Sequence, residues 1–286
     1  MPEKPTKANE YGREQAELVR ATCLYVATKL GDYMEDIVIV GGLVPSLLID
    51  QDSLPDGTDR HVGTLDLDVG LALAILDGKR YEAITNRLRA AGFTQDENEQ
   101  GNPTRQRWKV EGPGKVTVDF LIPPVGEEDE GGKVRDIEQD FAAVITPGLG
   151  LAFIDRRRIA LSGITIKGEK ATRDIWVCGP GAFVVLKALA FRNRGENKDA
   201  YDLYYHVRNY GSSVQDIVHA IRPLLNEPET KQALDILKQD FNENESVGPV
   251  RVAQFITGGK DDYIQADVAG FINQLLDLCR QSIAHS

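Results

Sequence analysis

The chain has 286 residues, 42% of them hydrophobic and 27% charged, and a formal net charge of −11. These values are typical of a globular protein with one large or two modest domains, and the acidity argues against a protein that coats nucleic acid electrostatically. Three scattered cysteines, Cys23, Cys178 and Cys279, predict free buried thiols without a zinc site. Because no apolar stretch has the length of a membrane span and the N-terminus lacks a secretory apolar core, we expect a cytoplasmic protein with no membrane partner.

The first part of the chain alternates predicted helices and strands. Apolar residues recur at helical spacing over 8–30, and Gly31 is a typical stop after them. The apolar runs and turn residues that follow predict strands at 37–40, 65–73, 105–110 and 116–121, helices at 43–49 and 79–91, a loop at 51–63, and short strands at 151–154, 159–161, 164–166 and 175–177.

The pattern changes at Gly179-Pro180-Gly181, after which nearly every segment has helical periodicity. The predicted helices are at 182–192, 198–209, 214–225, 231–241, 250–256 and 264–284. The sequence therefore predicts an α+β domain over 1–178, followed by a helical C-terminal domain over 179–286.

Three aspartates lie within strand-like apolar runs. Asp66 and Asp68 occupy alternate positions, which point to the same face of a strand, and Asp119 lies in a second such run. Unpaired buried charge is costly, so these carboxylates are expected either to line the solvent-facing side of a sheet or to face one another around a divalent cation. Oxygen ligands alone suit Mg²⁺ or Mn²⁺, which support phosphoryl and nucleotidyl transfer.

A pair of glycines and a lone lysine add to this pattern. Gly41 and Gly42 end an apolar strand, where they form either a plain tight turn or a turn that lets backbone N–H groups approach a phosphate. Lys187 lies in an apolar helix and needs an anion, whether a protein carboxylate or a substrate phosphate. Lys198 and Asp202 have the spacing of an ordinary ion pair on a helix surface.

Basic residues are concentrated in one segment of this acidic chain. From Asp155 to Arg194 there are nine basic and three acidic residues. This segment is either a solvated surface or a docking surface for the phosphates of a nucleotide or an RNA. The four histidines form no pattern; we expect His206 to be a packing or surface residue, whereas His61 lies near the acidic strand in sequence.

In combination, these motifs resemble a known superfamily. The order Gly41-Gly42, then Thr64-Leu65-Asp66-Leu67-Asp68, then Asp119 resembles the polymerase-beta-like nucleotidyltransferases. Lys187, Arg194, Lys198-Asp199 and Asp202-Leu203 resemble the lysine helix and the (Arg/Lys)-Asp-x-x-Asp-Leu helix of the AbiEii/AbiGii-type branch. The similarity covers roughly residues 37–203. The chain departs from the family pattern in having Leu43 after the glycines, with Ser46 as the nearest hydroxyl, and a long 51–63 segment.

The resemblance implies a nucleotidyltransferase fold with a mixed sheet, followed by a helical domain. It implies catalytic roles for Asp66, Asp68, Asp119 and Lys187, with the three aspartates binding Mg²⁺ or Mn²⁺. Gly41, Gly42, Ser46, Lys198 and Asp202 would bind or orient the nucleoside triphosphate. An acceptor hydroxyl would attack the α-phosphorus and release pyrophosphate, with Asp119 binding a second metal ion or acting as the base.

The same resemblance implies the toxin of a bacterial toxin–antitoxin system. Such a toxin modifies RNA, in particular tRNA, and has a cognate antitoxin as partner. Two alternatives remain open from the sequence. One is a nucleotidyltransferase that acts on a small molecule or a protein hydroxyl, and the other is a non-catalytic nucleotide-binding protein.

Overall fold

The computed structural model describes residues 5–72, 78–126 and 128–284. Within these residues the protein is α+β, with a mixed sheet and ten α-helices. The strands are β1 (Ile37–Val40), β2 (Asp66–Leu71), β3 (Thr94–Glu97), β4 (Pro103–Glu111), β5 (Lys115–Ile122), β6 (Val134–Glu138), β7 (Phe141–Ile145), β8 (Arg156–Ile164) and β9 (Lys170–Cys178). The helices are α1 (Arg13–Leu30), α2 (Val44–Leu48), α3 (Gly78–Ala90), α4 (Leu151–Ile154), α5 (Pro180–Arg194), α6 (Asn197–Asn209), α7 (Val214–Ile221), α8 (Pro228–Asp240), α9 (Val247–Thr257) and α10 (Asp262–Ala284).

The sheet has the strand order β3-β4-β5-β2-β1-β9-β8, and β7 also pairs with β5 and carries β6. Strands β2 and β5 are parallel neighbours near its centre, as are β1 and β9. The hairpin of β4 and β5 and the hairpin of β8 and β9 are antiparallel, and β8 forms an edge of the sheet. A parallel pair at the centre requires crossover connections, which the intervening helix and strands supply.

The pleat of β2 and β5 separates apolar from acidic side chains. Leu67 and Val69 in β2 are fully buried, as are Val118 and Phe120 in β5. On the buried side, the rings of Phe120, Trp108 and Phe141 pack against one another edge to face. Alternate residues of the same strands therefore point to the opposite face, which carries the aspartates.

The helices and strands agree with the sequence predictions in most of the chain and differ from them at a few short segments. Strand 37–40, the hairpin strands and the C-terminal helices are confirmed to within a few residues. The prediction of a strand at 151–154 is wrong, since these residues form α4. The predicted strand 159–161 lies within β8, whereas of 164–166 only Ile164 belongs to β8 and the other two residues begin the turn to β9. Strands β3, β6 and β7 were not predicted. Leu73, the last residue of the predicted strand 65–73, lies outside the described residues.

Contacts divide the described chain into two compact units. Unit 1 contains Gly12–Val44 and Gly63–Cys178, and unit 2 contains residues 5–11, Pro45–Val62 and residues 179–284. Two segments from the predicted first domain thus pack with the helices. Their apolar side chains join a cluster with α6 and α9, whose buried members are Ile49, Tyr201, Tyr205 and Phe255.

No described helix is both long enough and apolar enough to cross a membrane.

The three cysteines are buried in the described structure. Cys23 and Cys178 in unit 1 and Cys279 in unit 2 are all buried free thiols. Burial raises the pKa of Cys23 to about 12 and that of Cys279 to about 11, so these thiols are unreactive in the folded chain.

Candidate functional site

The three aspartates predicted as metal ligands lie on one face of unit 1. In the parallel pair of β2 and β5, Asp68 is opposite Asp119 and Asp66 is opposite Thr117. Since residues two apart in a strand share a face, Asp66, Asp68 and Asp119 project together on the side away from Leu67 and Phe120. All three side chains are partly accessible. We call these three residues the carboxylate face.

An arginine that the sequence did not single out lies within this face. Arg107 in β4 is opposite Asp119 in the β4–β5 hairpin. Its Nε donates to Asp119 Oδ1 at 2.6 Å, its Nη2 donates to Asp119 Oδ2, and the same Nη2 lies 3.8 Å from Asp66 Oδ2. Hydrogen bonding to Asp119 raises the pKa of Arg107 above its ordinary value against the effect of burial, and the charges of Asp66 and Asp68 act in the same direction. Arg107 is therefore a permanent cation at the carboxylate face.

Gly41 lies directly against the carboxylate of Asp68. The last residue of β1, Val40, is opposite Asp68, and Gly41 follows it with φ of +72° at the start of a 3₁₀ turn that also contains buried Gly42. A Cβ atom at Gly41 would lie 1.8 Å from Asp68 Oδ2. Position 41 therefore requires glycine both for its backbone conformation and for the close approach to Asp68.

The side chains of the carboxylate face offer carboxylate oxygens, the ligand type that Mg²⁺ and Mn²⁺ prefer. The carboxylate of Asp68 lies beside the backbone turn at Gly41. Within the described ranges, no group of three or more His, Cys, Asp or Glu side chains is placed so that it could hold a metal ion. Arg107 is a cationic partner of Asp119 in this structure.

A second charged group, which we call the lysine cluster, lies in unit 2 and consists of Lys187, Lys198, Asp199 and Asp202. Lys187 in α5 reaches across to α6, where its Nζ lies 2.9 Å from Asp199 Oδ1 and 2.7 Å from Asp202 Oδ2. Lys198 forms an ion pair with Asp202 one helical turn away. Arg194 binds both oxygens of Asp199 at 2.8 Å.

The ions of the lysine cluster keep one another charged although they are buried. Burial favours the neutral form of each group, but the lysines hold the pKa of Asp202 well below its ordinary value, and Lys187 and Arg194 do the same for Asp199. Burial lowers the pKa of Lys187, yet Asp199 and Asp202 outweigh this effect and raise it above its ordinary value. For Lys198, burial prevails over Asp202 and its pKa is lowered. Lys198 is therefore the lysine with the weaker hold on its proton.

A hydrogen-bonded chain connects Ser46 to the lysine cluster. His61 Nε2 lies 2.8 Å from Asp202 Oδ1, and its Nδ1 lies 3.3 Å from Ser46 Oγ. Burial and the charge of Lys198 lower the pKa of His61 to about 4, so the ring is neutral near pH 7. Because ionised Asp202 only accepts, Nε2 carries the proton and Nδ1 accepts from the Ser46 hydroxyl.

The predicted site residues thus fall into two groups. Gly41, Gly42 and the carboxylate face belong to unit 1, whereas Ser46, Lys187, Lys198 and Asp202 belong to unit 2. Sequence reasoning missed Arg107, and it assigned no role to His61. The β4–β5 turn could have identified Arg107, because pairing Val110 with Val116 across the turn brings Arg107 opposite Asp119. No local pattern connects His61 with Asp202, which is 141 residues away.

The nine basic residues of the predicted docking segment are divided between the units. Six of them lie in the β8–β9 hairpin and its turn, and the other three lie on α5. Of those three, Lys187 is buried in the lysine cluster, Arg194 binds Asp199, and Arg192 binds Asp240 at 2.9 Å. The exposed basic surface is therefore the hairpin, where Arg156 lies over the ring of Trp176 at 4.0 Å.

Comparisons with known protein families and with curated proteins found no match for this chain. Its function is therefore inferred from the carboxylate face, the lysine cluster and the surfaces described above.

Proposed function

We propose that this chain is a metal-dependent nucleotidyltransferase that transfers a nucleoside monophosphate from a nucleoside triphosphate to an acceptor hydroxyl of RNA. The observation that carries the proposal is the carboxylate face, with Asp68 and Asp119 opposite each other on neighbouring strands and Gly41 packed against Asp68. Three converging carboxylates beside a glycine turn are suited to the triphosphate of a nucleotide and a divalent cation. The mixed sheet is compatible with the nucleotidyltransferase fold, which is part of the proposal.

In the proposed reaction, the acceptor hydroxyl attacks the α-phosphorus, the bond between the α-phosphorus and the bridging oxygen breaks, and pyrophosphate leaves. The hydroxyl proton passes to a carboxylate of the face or to water. Asp66 and Asp68 would hold Mg²⁺ or Mn²⁺. The bound ion would supply charge neutralisation for the triphosphate and for the leaving pyrophosphate. The backbone at Gly41 and Gly42 would approach the phosphates, where a side chain at position 41 has no room.

The family resemblance implies that Lys187, in the lysine cluster of unit 2, stabilises phosphoryl charge. Lys187 is fixed by two carboxylates, which gives it a defined position and a permanent charge. Lys198 and Arg251 line a cavity of ≈ 270 Å³ in unit 2, next to the first turn of α6. Such preorganised cations stabilise phosphoryl charge without having to reorganise during the reaction. Asp202 orients both lysines and His61.

The exposed hairpin of β8 and β9 supports RNA as the acceptor. Its basic side chains outnumber its acidic ones in a chain that is otherwise acidic, and this contrast favours a phosphate backbone as the partner of the hairpin. With the family resemblance, this surface leads us to propose tRNA modification by the toxin of a toxin–antitoxin system, with an antitoxin protein as a further partner. A small-molecule or protein hydroxyl as acceptor, and nucleotide binding without turnover, are alternative outcomes of the test.

The test is nucleotide incorporation by the purified chain. We expect incubation with Mg²⁺, total RNA and each α-³²P-labelled nucleoside triphosphate in turn to label RNA of tRNA size. Asp68→Asn and Asp66→Asn should each reduce incorporation by at least about 10²-fold, since each removes a charged ligand beside the reacting phosphate. Asp136→Asn is the matched control, because Asp136 in β6 is an exposed strand aspartate outside the carboxylate face.

Circular dichroism of each variant separates a loss of chemistry from a loss of fold. Full activity in folded Asp68→Asn would exclude the assigned role of the carboxylate face. If a protein or a small molecule is labelled instead of RNA, that molecule is the acceptor, and the proposed transfer reaction still holds. Mg²⁺-dependent nucleotide binding with no transfer to any acceptor would overturn the enzymatic proposal.

A further inference from the structure

The sheet of unit 1 has an edge at β8 that lacks the usual protection against pairing with another strand. β8 has nine residues, contains no proline, and pairs with β9 in an unbroken register from Arg156 to Ile164. Among the described strands it pairs with β9 alone. Exposed edges are normally short, bulged or charged, because their free N–H and C=O groups are a template for a further strand.

The other two outer strands of the described sheet have this protection. β3 has four residues and β6 has five, and both contain acidic side chains. The register of each strand with its neighbour shifts once, between Gln95 and Asp96 in β3 and between Asp136 and Glu138 in β6. β8 therefore differs from both of them in its length and in its regularity.

Charge divides β8 into two parts. Residues 156–158 are arginines, and each of them contacts an aromatic or acidic side chain of its own chain. Residues 159–164 carry no charge, and Ala160, Ser162 and Ile164 among them are exposed. Because the arginines already have partners, they do not call for an acidic strand. The uncharged part of β8 instead suits a strand that is itself uncharged.

A second copy of β8 is such a strand. In an antiparallel pair of identical strands around a two-fold axis, a position near the centre faces itself. In a pair centred on Ser162, Ala160 of one copy faces Ile164 of the other. Arg158 is four residues from Ser162, so the two copies of Arg158 are eight positions apart along the strands, about 27 Å. This distance exceeds the Debye length of about 8 Å, so the arginines of the two copies hardly repel each other.

We propose that two copies of this chain associate by antiparallel pairing of their β8 edges, which joins their two sheets. Backbone hydrogen bonds provide the attraction, and Ile164, which is 56% exposed in the single chain, packs against Ala160 of the other copy. Since a contact between two edges is small, we expect a dissociation constant in the micromolar range.

The pairing also changes the surface that is offered to RNA, and this part of the inference rests on the proposed function. It places the two β8–β9 hairpins side by side, so that the basic residues of both copies form one surface for a phosphate backbone. The partner copy thus supplies half of the basic side chains of this RNA surface.

Sedimentation equilibrium of the chain without RNA or nucleotide tests the pairing. We expect the wild type to change from monomer to dimer between about 1 µM and about 1 mM. Ser162→Lys brings two lysines face to face at the axis and should raise the dissociation constant at least about tenfold. A wild type that stays monomeric, or a Ser162→Lys variant that dimerises equally well, would overturn the proposal.

Thr172→Lys is the matched control for Ser162→Lys. Thr172 in β9 is opposite Ser162 in the hairpin, and the two hydroxyl oxygens are 2.9 Å apart, so both variants lose the same hydrogen bond and gain the same charge. Thr172 is one strand farther from the axis, so this variant should dimerise as the wild type does. An equal loss of dimer in both variants would show that the added charge acts without contact at the β8 edge.

A mixture of opposite charges locates the axis. Ser162→Asp alone should also be largely monomeric, whereas an equimolar mixture of Ser162→Asp and Ser162→Lys should form a heterodimer, because the two facing charges then attract each other. Native mass spectrometry with an affinity tag on one variant identifies the heterodimer, and circular dichroism checks that each variant is folded. If the folded variants do not associate when mixed, the dimer contact is not centred near Ser162 and the proposal fails.

RNA binding tests the joint surface of the two hairpins. Ser162→Lys and Thr172→Lys have the same net charge and differ in their ability to dimerise. We expect Ser162→Lys to bind RNA of tRNA size about tenfold more weakly than Thr172→Lys, because it offers the basic residues of one hairpin only. Equal affinities would overturn the joint RNA surface.

The inference and the proposed function fail in different ways. If the wild type stays monomeric but incorporates nucleotide into RNA, the pairing of β8 fails and the proposed function stands. If it dimerises through β8 but incorporates no nucleotide, the proposed function fails and the β8 interface stands.

Discussion

Gly41 combines a left-handed backbone with the absence of any space for a side chain. We expect Gly41→Ala to lower the free energy of unfolding by about 3 kcal/mol, because it adds a collision with Asp68 to the cost of positive φ. Urea denaturation measures the loss. Gly92→Ala is the matched control: Gly92 has φ of +84° but no heavy atom within 4 Å of its Cβ position, so only about 1 kcal/mol should be lost. Equal losses in the two variants would show that the contact with Asp68 is unimportant.

The individual residues of the carboxylate face were accessible to sequence reasoning for a simple reason. Spacing of two within an apolar strand is enough to align Asp66 with Asp68, and the placement of Asp119 required only that its strand be a neighbour. Arg107 was overlooked because its charge is ordinary in an exposed strand, and only the hairpin register gives it a partner. The position of His61 depends on its tertiary contacts with Tyr201 and Asp202, and no local sequence spacing predicts these contacts.

The pairing of α5 with α6 depends on a buried cation. Replacing Lys187 with Met keeps the length of the side chain but leaves Asp199 and Asp202 with less compensation in a buried place. We expect Lys187→Met to lower the free energy of unfolding by about 3 kcal/mol, as is typical when one partner of a buried ion pair is removed. Chemical denaturation followed by circular dichroism provides the measurement.

Lys260→Met is the control for this prediction. Lys260 also contacts two carboxylates, those of Glu245 and Asp262, but all three side chains are largely exposed. Water and salt screen such pairs, so this variant should unfold at the denaturant concentration of the wild type. If Lys187→Met were equally well tolerated, the lysine cluster would have no structural role.

Helices were predictable where the helical spacing of apolar residues continued over several turns. Strands were predictable where residues typical of a hairpin turn separated two apolar runs. The long C-terminal helices and the β4–β5 hairpin meet these conditions. Strands β3 and β6 are short and largely polar, so they carry no apolar alternation and exist because they pair with β4 and β7. The run Leu151–Ile154 has only four residues, which is too few to distinguish a strand from the helical turn that it forms.

Acid should destabilise the molecule before its carboxylates are protonated. The pKa of His61 is lowered to about 4 and that of His206 to about 3, chiefly by burial, whereas an unfolded histidine has a pKa of about 6.5. The unfolded chain therefore binds more protons below pH 6.5, and stability falls as the pH drops from about 6.5 toward 4. Each histidine contributes about 1.4 kcal/mol per pH unit to this slope.

Urea unfolding between pH 7.5 and 4.5 measures this dependence. The carboxylates of Asp199 and Asp202, whose pKa values are lowered in the folded chain, contribute little in this range, because the pKa of an unfolded aspartate, about 3.9, lies below it. His206→Phe should reduce the slope by about half, since the ring of His206 already packs between Phe183 and Tyr210. A wild-type stability that is flat from pH 6.5 to 4.5 would contradict the neutral state of both histidines.

The three buried cysteines can report how often the structure around each of them opens transiently in the native chain. Cys23 and Cys178 are sealed within unit 1 and Cys279 within unit 2, so an alkylating reagent modifies each only while the surrounding structure is transiently open. Peptide mass spectrometry after timed alkylation then yields a separate opening rate for each unit in the unmodified protein. A nucleotide or metal ion that stabilises one unit should slow alkylation of the cysteines in that unit alone. A ligand that stabilises both units should slow alkylation of all three cysteines.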